Sequence, residues 1–442
     1  MLRHAIFTVF SVTLWVGVPA WANDLSEPVD PDDFIAADLS KAKIGQLLFY
    51  DKILSGNRNI SCGTCHHHDL AGTDGLSLGI GEGGQGLGRD RTPGYGSDRI
   101  VKRIPRNAPA LWNLGHSSID ILFHDGRLSV SDLYGNGFDS PAEEWLPLGL
   151  DNIVAAQALF PLTSLAEMAG SPGENDIAGA VNDRIDAVWP IVAKRVRTIE
   201  AYGTLFVEAF ETVETPEDVT IVEIGNALAA FITSEWQSFD SPYDQYLAGD
   251  RTALTGKQTR GMELFFGAAG CADCHNGPLL SDQEFHALGL PAFGPGRTRK
   301  FDPMPRDLGR MGKSDILADA YRFRTPMLRN VALTGPYGHN GAYPTLEAMV
   351  RHHLDADTAL SRWTKADARL PDVPWLAAAD FAIQQDRFEM DRQARARDLR
   401  PQPMADADID ALVAFLNALT GETAEIRPLG RPETVPSGLP VD

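Results

Sequence analysis

Apolar residues recur three and four positions apart over residues 176–188, 191–210, 219–236 and 255–266, which is the spacing of amphipathic helices. Few segments show the alternation of a half-buried strand, so the pattern predicts a mainly α fold. A further helix from Pro344 would put Met349 and His353 on one face. Two stretches rich in Gly and Pro, 72–96 and 288–312, predict irregular loops. The first contains Gly79-x-Gly81-x-x-Gly84, formally a dinucleotide fingerprint. No strand precedes it and no helix is signalled after it, so a loop is the better reading. At the start of the chain, Arg3 and His4 precede an apolar run over 5–18, followed by Ala20-Trp21-Ala22. This is the layout of a secretory signal peptide over 1–22, giving a mature chain from Asn23. The run falls short of the roughly 20 residues that span a bilayer.

The candidate chemistry is concentrated in two pentapeptides, Cys62-Gly63-Thr64-Cys65-His66 and Cys271-Ala272-Asp273-Cys274-His275, which use all 4 cysteines of the chain. Each reads as a c-type haem attachment site, with two thiols for the vinyl groups and a His for the iron. A thioredoxin-like dithiol needs no His at that position. A four-cysteine zinc site would leave both histidines unexplained, and disulfides would do the same. Covalent haem also agrees with export to a bacterial periplasm. The expected architecture is two cytochrome c-like haem domains with long irregular loops, joined near residues 239–250, with no internal repeat beyond the motifs.

The 442-residue length suits two to three domains, and 43% apolar content is enough to build cores. A formal charge of −21 argues against nucleic acid and anionic membranes as partners. It suits association with a basic redox protein, and equally suits solubility alone.

These motifs stand in a longer ordered series: Ile44-Gly45-x-x-Leu48-Phe49-Tyr50-Asp51, Arg106-Asn107-Ala108-Pro109, His124-Asp125-Gly126-Arg127, Glu167-Met168, Arg324-Thr325-Pro326-x-Leu328-Arg329-Asn330, and Pro336-Tyr337-x-His339-Asn340-Gly341. Over nearly all of the mature sequence the chain resembles the bacterial di-haem cytochrome c peroxidase and MauG superfamily. The resemblance implies a first haem on Cys62, Cys65 and His66, where hydrogen peroxide reacts. It implies a second haem on Cys271, Cys274 and His275, which stores an electron. The distal glutamate of the family falls on Glu167, with pocket residues Gln157 and Pro161. An interdomain Ca²⁺ would take oxygens from Asn107, Thr334 and Pro336.

Three departures bear on these expectations. The tryptophan common between the haems is His124 here. No histidine lies in residues 69–103, where peroxidases needing reductive activation carry a removable ligand, so the first haem is expected to be open. His353 stands where the family has methionine or tyrosine, which makes bis-His ligation by His275 and His353 the inference; His352 and Met349 are the competing ligands. The domain plan is 23–240 for the first haem, with insertions at about 72–103 and 128–152, 241–430 for the second, and a tail over 431–442. The leading expectation is a peroxidase fed by a small periplasmic donor, a cytochrome c or a cupredoxin. The alternatives are a MauG-like oxidant of a protein side chain and a plain electron-transfer cytochrome. Monomer and homodimer are both compatible with the sequence.

Overall fold

The computed structural model describes residues 25–297 and 304–442. The signal-peptide reading lies outside the described residues, as does part of the second Gly- and Pro-rich stretch. Helices carry the fold. Strands form an antiparallel sheet of Ile121–Leu122, Leu128–Val130 and Phe138–Asp139, and a pair of Phe285–His286 with Phe323–Arg324.

Two apolar cores organise the helices. In the first, Leu39–Tyr50 packs along Ile221–Glu235, with Ile153–Leu159, Val188–Arg197 and Glu200–Ala209 around them. In the second, Gly256–Phe265 packs along Asp406–Asn417, flanked by Leu346–Leu354. Local chemistry sets where these helices start. Asp38 accepts the N–H groups of Ser40 and Lys41, while Thr220 with Glu223 and Thr255 with Gln258 form capping boxes.

The two cores use the same crossing. A methyl group on Gly45 would sit 1.9 Å from the Ala227 carbonyl oxygen, and one on Gly261 would sit 1.9 Å from that of Ala411, with Phe231 and Phe415 against the respective glycines. Gly45-x-x-Leu48-Phe49 and Gly261-x-x-Leu264-Phe265 are therefore equivalent, as are Ala227-x-x-x-Phe231 and Ala411-x-x-x-Phe415. This corrects the expectation of no repeat beyond the haem motifs. Only the residues that set backbone-to-backbone contact recur, too few for periodicity to reveal.

The helix boundaries also need correction. The expected 176–188 helix ends at Asp183, and a tight turn, Ile185–Ala187, follows. The expected 191–210 helix is two, Val188–Arg197 and Glu200–Ala209. Ile199 is extended between them, and the Thr198 hydroxyl donates back to the Lys194 carbonyl at 2.8 Å. The helix expected from Pro344 begins at Leu346, capped by Thr345. Tyr243, on Pro242–Leu247, belongs to the second core.

The 72–103 stretch is a clasp between the halves. Leu78 is buried with Leu290, Phe293 and Tyr343, and Ile80 and Ile100 pack on Val373. Ser77 Oγ donates to the Gly341 carbonyl at 2.6 Å, and Arg103 forms a buried two-point ion pair with Asp380 at 2.8 and 2.9 Å. The last residues return to the first core, where Leu429 and Gly430 N–H groups donate to Glu235 and Ser437 Oγ donates to Asp51.

Candidate functional site

At the first motif, Ser61 and Thr64 cap a single helical turn, Cys62–Cys65, that ends at His66. The His66 Nδ1–H donates to the Gly72 carbonyl at 2.9 Å, leaving Nε2 free as a ligand. The second motif repeats this device, since His275 Nδ1 bonds the Leu280 carbonyl at 3.0 Å. A carbonyl on one ring nitrogen fixes the tautomer and aims the other at a metal. Burial holds both histidines below their ordinary pKa, so they are neutral imidazoles, the form a metal binds. None of the four cysteines is joined in a disulfide. The two pairs sit in different cores, so they do not converge on a four-cysteine zinc site.

Glu167 is carried on a single π-turn, Leu165–Ala169, whose last three N–H groups all donate to the Ser164 carbonyl. Such turns recur at functional sites. The turn is gripped from two sides: Gly56 N–H donates to the Met168 carbonyl at 2.7 Å and Glu82 N–H to the Ala166 carbonyl at 3.2 Å. A methyl group on Gly81 would come 1.9 Å from that Ala166 oxygen, which explains a glycine in the false dinucleotide motif. Burial raises the Glu167 carboxyl above its ordinary value, and Arg127 and Arg297 oppose the rise. The Cys65 thiol is pushed up to about 12, by burial first, with Asp74 and Glu167 charges adding to it. Glu167 thus stands in the neighbourhood of the first motif. Gln157, on Ile153–Leu159, buries an Oε1 that has no hydrogen-bond partner, and Pro161 opens the turn between Gln157 and Glu167.

The second motif opens onto a cavity of about 690 Å³ lined by Cys271, Cys274, His275, Met349 and His353. The His275 and His353 ring centroids are 6.5 Å apart. Two metal–imidazole bonds of about 2 Å each, plus the half-widths of the rings, require roughly that gap. His353 Nδ1 bonds the Met349 carbonyl at 2.9 Å, again leaving Nε2 free. His352 has both nitrogens engaged, by the Tyr343 hydroxyl at 2.8 Å and the Leu288 carbonyl at 2.9 Å.

The same cavity reaches His124, Asn107, Thr334, Pro336 and Arg324. His124 Nε2 donates to the Asn107 carbonyl at 3.1 Å, and burial with Arg106 lowers its pKa to about 4, so the ring is neutral. Sequence reasoning assigned no role to the charges around it. Asp125 is buried between Arg106 at 2.8 Å and Arg127 at 2.9 Å, and Arg106 also holds Asp307 at 2.7 Å. Arg324 forms no ion pair among the described residues, and burial lowers its pKa to about 10. A half-buried guanidinium on the cavity wall, bonded only to the Phe123 and Thr325 carbonyls among the described residues, fits the carboxylates of a haem. The signal for these residues was present in the Arg-Asn-Ala-Pro, His-Asp-Gly-Arg and Arg-Thr-Pro motifs, but spacing alone gave them no partners.

Two attachment motifs on a mainly helical chain, each with its His oriented by a backbone carbonyl, define a di-haem c-type redox protein. Comparison narrows the class. The model of the di-haem cytochrome c peroxidase family matches residues 39–252. The cytochrome c551 peroxidase of Nitrosomonas europaea is 30% identical over 74% of this chain and 76% of that protein. The methylamine utilization protein MauG of Methylorubrum extorquens is 28% identical over 87% and 80%. A crystal structure of a MauG-like protein associated with microbial copper homeostasis superposes with a TM-score of 0.59 at 27% identity, covering 95% of this chain and 99% of that one. The chain belongs to the di-haem cytochrome c peroxidase family, and is an oxidoreductase of that kind.

Proposed function

We propose that the protein is a periplasmic peroxidase that reduces hydrogen peroxide to water, with electrons drawn from a small redox protein through the second haem. Its two cytochrome c-like domains would span 23–240 and 241–430, the first holding the reaction site. The family's two haems, when bound, supply the ferric iron at which peroxide is cleaved and an electron store. Cys62 and Cys65 would hold the first with His66 as its proximal ligand; Cys271 and Cys274 would hold the second between His275 and His353. His352, with both nitrogens engaged, supports His353 as the ligand.

The observation that carries this reading is a Glu167 carboxyl raised by burial whose charge acts on the Cys65 thiol of the first motif, with a buried, unpartnered Gln157 oxygen ten residues before it in the chain. Peroxide cleavage needs a proton moved from one oxygen to the other. A carboxyl raised by burial and checked by two arginines is suited to both taking and giving it. Gln157 Oε1 would accept the peroxide hydrogen bond and orient it. His124, a neutral ring, would lie on the electron route without itself being oxidised. Asn107, Thr334 and Pro336 line one cavity with neutral oxygens, which supports a structural Ca²⁺. The acidic chain suits a basic donor, a cytochrome c or a cupredoxin.

The test is Glu167→Gln in the haem-loaded protein. Peroxide cleavage should slow by about 10²–10⁴-fold with haem content intact, and an unchanged rate would remove the proposed acid–base. A second reading directs the oxidising equivalents at a protein side chain, and is favoured by the relatives named MauG. It predicts a companion protein whose mass changes on turnover.

A further inference from the structure

The turn that carries Glu167 is held chiefly from outside. The N–H groups of Glu167, Met168 and Ala169 share the single Ser164 carbonyl, so one acceptor serves three donors within Leu165–Ala169. The carbonyls of the turn are taken by other segments. Ala166 accepts Glu82 N–H at 3.2 Å, Met168 accepts Gly56 N–H at 2.7 Å, and Ala169 accepts an N–H of Asn175 Nδ2 at 2.9 Å. The first two donors are backbone groups, and the third is a side chain.

Asn175 is fixed in this position by its other bonds. Its Oδ1 caps the helix Asp176–Asp183 by accepting Ala178 N–H at 2.8 Å, which leaves the amide nitrogen to the π-turn. That nitrogen also reaches Asn57 Oδ1 at 2.9 Å. Asn57 Nδ2 in turn donates to Glu82 Oε1 at 2.8 Å and to Glu174 Oε2 at 3.0 Å, and Asn59 adds a second bond to Glu82 at 2.7 Å. Glu174 completes the set by accepting Ser171 N–H at 2.8 Å. Two side-chain amides thus join three segments: the π-turn with its exit, the loop at Glu82, and residues 55–61, which lead directly into Cys62. The approach leaves no room for side chains between them. A methyl group on Gly56 would sit 1.9 Å from the Ala169 carbonyl oxygen, and one on Gly170, at φ +83°, would sit 2.8 Å from Asn57 Nδ2. Gly56 is held from behind as well, because Arg195 donates to the Ser55 and Gly56 carbonyls at 2.8 and 3.2 Å.

We propose that Asn57 and Asn175 are positioning residues for Glu167: they tie the π-turn to the chain entering the first attachment motif, and so set where the acid–base stands relative to the haem. The inference rests on the peroxidase reading of that haem. Neither amide is a catalytic residue, and both act through the backbone of the turn. Loosening their grip lets the turn shift and water reach the carboxyl, which then loses the burial that raises it.

The experiment measures peroxide cleavage by stopped flow across pH in the haem-loaded wild type, Asn175→Ser, Asn57→Ala and the double variant. Serine still caps a helix but has no N–H to offer Ala169. Neither change alters charge, so Arg127 and Arg297 act on Glu167 as before. Each single variant is expected to slow cleavage by about 10–10²-fold at full haem content, and to move the acid limb of the pH–rate profile to lower pH, as a carboxyl that regains water must. The double variant should add little, because the two residues act through one bonded set. Wild-type rates, slower rates with an unmoved pH profile, or losses that multiply in the double variant overturn the positioning role and leave the peroxidase reading standing. Equal rates in the wild type and Glu167→Gln remove the acid–base itself, and this inference with it. If one single variant fails to fold, the other decides by the same rate and pH profile.

Discussion

The two attachment centres are alike in their supports and unlike in what faces them. Each follows a helix whose glycine, Gly45 or Gly261, lets it cross a partner helix with backbone in contact. Each orients its histidine through a backbone carbonyl, Gly72 or Leu280. Near the first stands Glu167, whose charge acts on the Cys65 thiol. Around the second stands His353, one ring nitrogen free and 6.5 Å from His275. On the proposed reading, the same scaffold would carry a proton-handling pocket in one half and a pair of imidazoles in the other. Crossing and orientation belong to the fold, whereas what distinguishes the centres is a few side chains set on the elements facing each of them.

Substitutions can break that contrast one side at a time. The largest effect is expected from Glu167→Gln, set against His353→Ala: the first slows peroxide cleavage by about 10²–10⁴-fold, while the second leaves the initial cleavage step near its wild-type rate. Stopped-flow absorbance on both variants separates the two centres. Next, His353→Ala should convert one haem, and one only, from a low-spin to a high-spin optical and magnetic spectrum. An unchanged spectrum would mean that His353 is not its ligand. His352→Ala should leave the spin state alone, because both nitrogens of His352 are already committed.

The shared crossing can be broken too. Gly45→Ala and Gly261→Ala each force a methyl group against a carbonyl oxygen and should each cost about 1–3 kcal/mol in denaturant unfolding. Equal losses in both halves would support the equivalence of the two crossings. The smallest effect is a pH slope peculiar to the first half. The buried Asp74 carboxyl is raised to about 7, chiefly by burial, with the Leu76 N–H and Arg91 pulling the other way. Between the unfolded value of about 3.9 and that value, the folded chain keeps a proton that the unfolded chain has released, so stability falls as pH rises through the window. Asp74→Asn should flatten that stretch of the stability–pH curve, and an unaltered slope would show that the group is ionised throughout.

The attachment motifs were legible because porphyrin chemistry fixes five consecutive residues, and local spacing is what a sequence displays directly. Helix existence was legible where the apolar period ran unbroken, as over Ile221–Glu235. The split at Ile199 was not, because the period continues across the break while Thr198 turns the backbone. The helices Leu39–Tyr50 and Asp406–Asn417 were missed as a pair for a different reason. Their meaning lies in Gly45 against Ala227 and Gly261 against Ala411, contacts between distant residues that no window contains. The same holds for Asn57 and Asn175, for Asp125 with Arg106 and Asp307, and for the Glu235 and Asp51 bonds to the returning chain end. The 72–103 stretch read as an irregular loop, and it is one, but its work as a clasp depends on Ser77, Leu78 and Arg103 meeting residues of the other half.

On the proposed function, one haem is open and proton-served while the other is closed by two histidines. The most direct measurement mixes the fully oxidised haem-loaded protein, never previously reduced, with one equivalent of hydrogen peroxide and follows the Soret band by stopped flow. A rapid shift in a sample whose starting spectrum holds one high-spin and one low-spin haem is the predicted result. Two low-spin haems at the start, with no reaction until one of them is reduced, would contradict it.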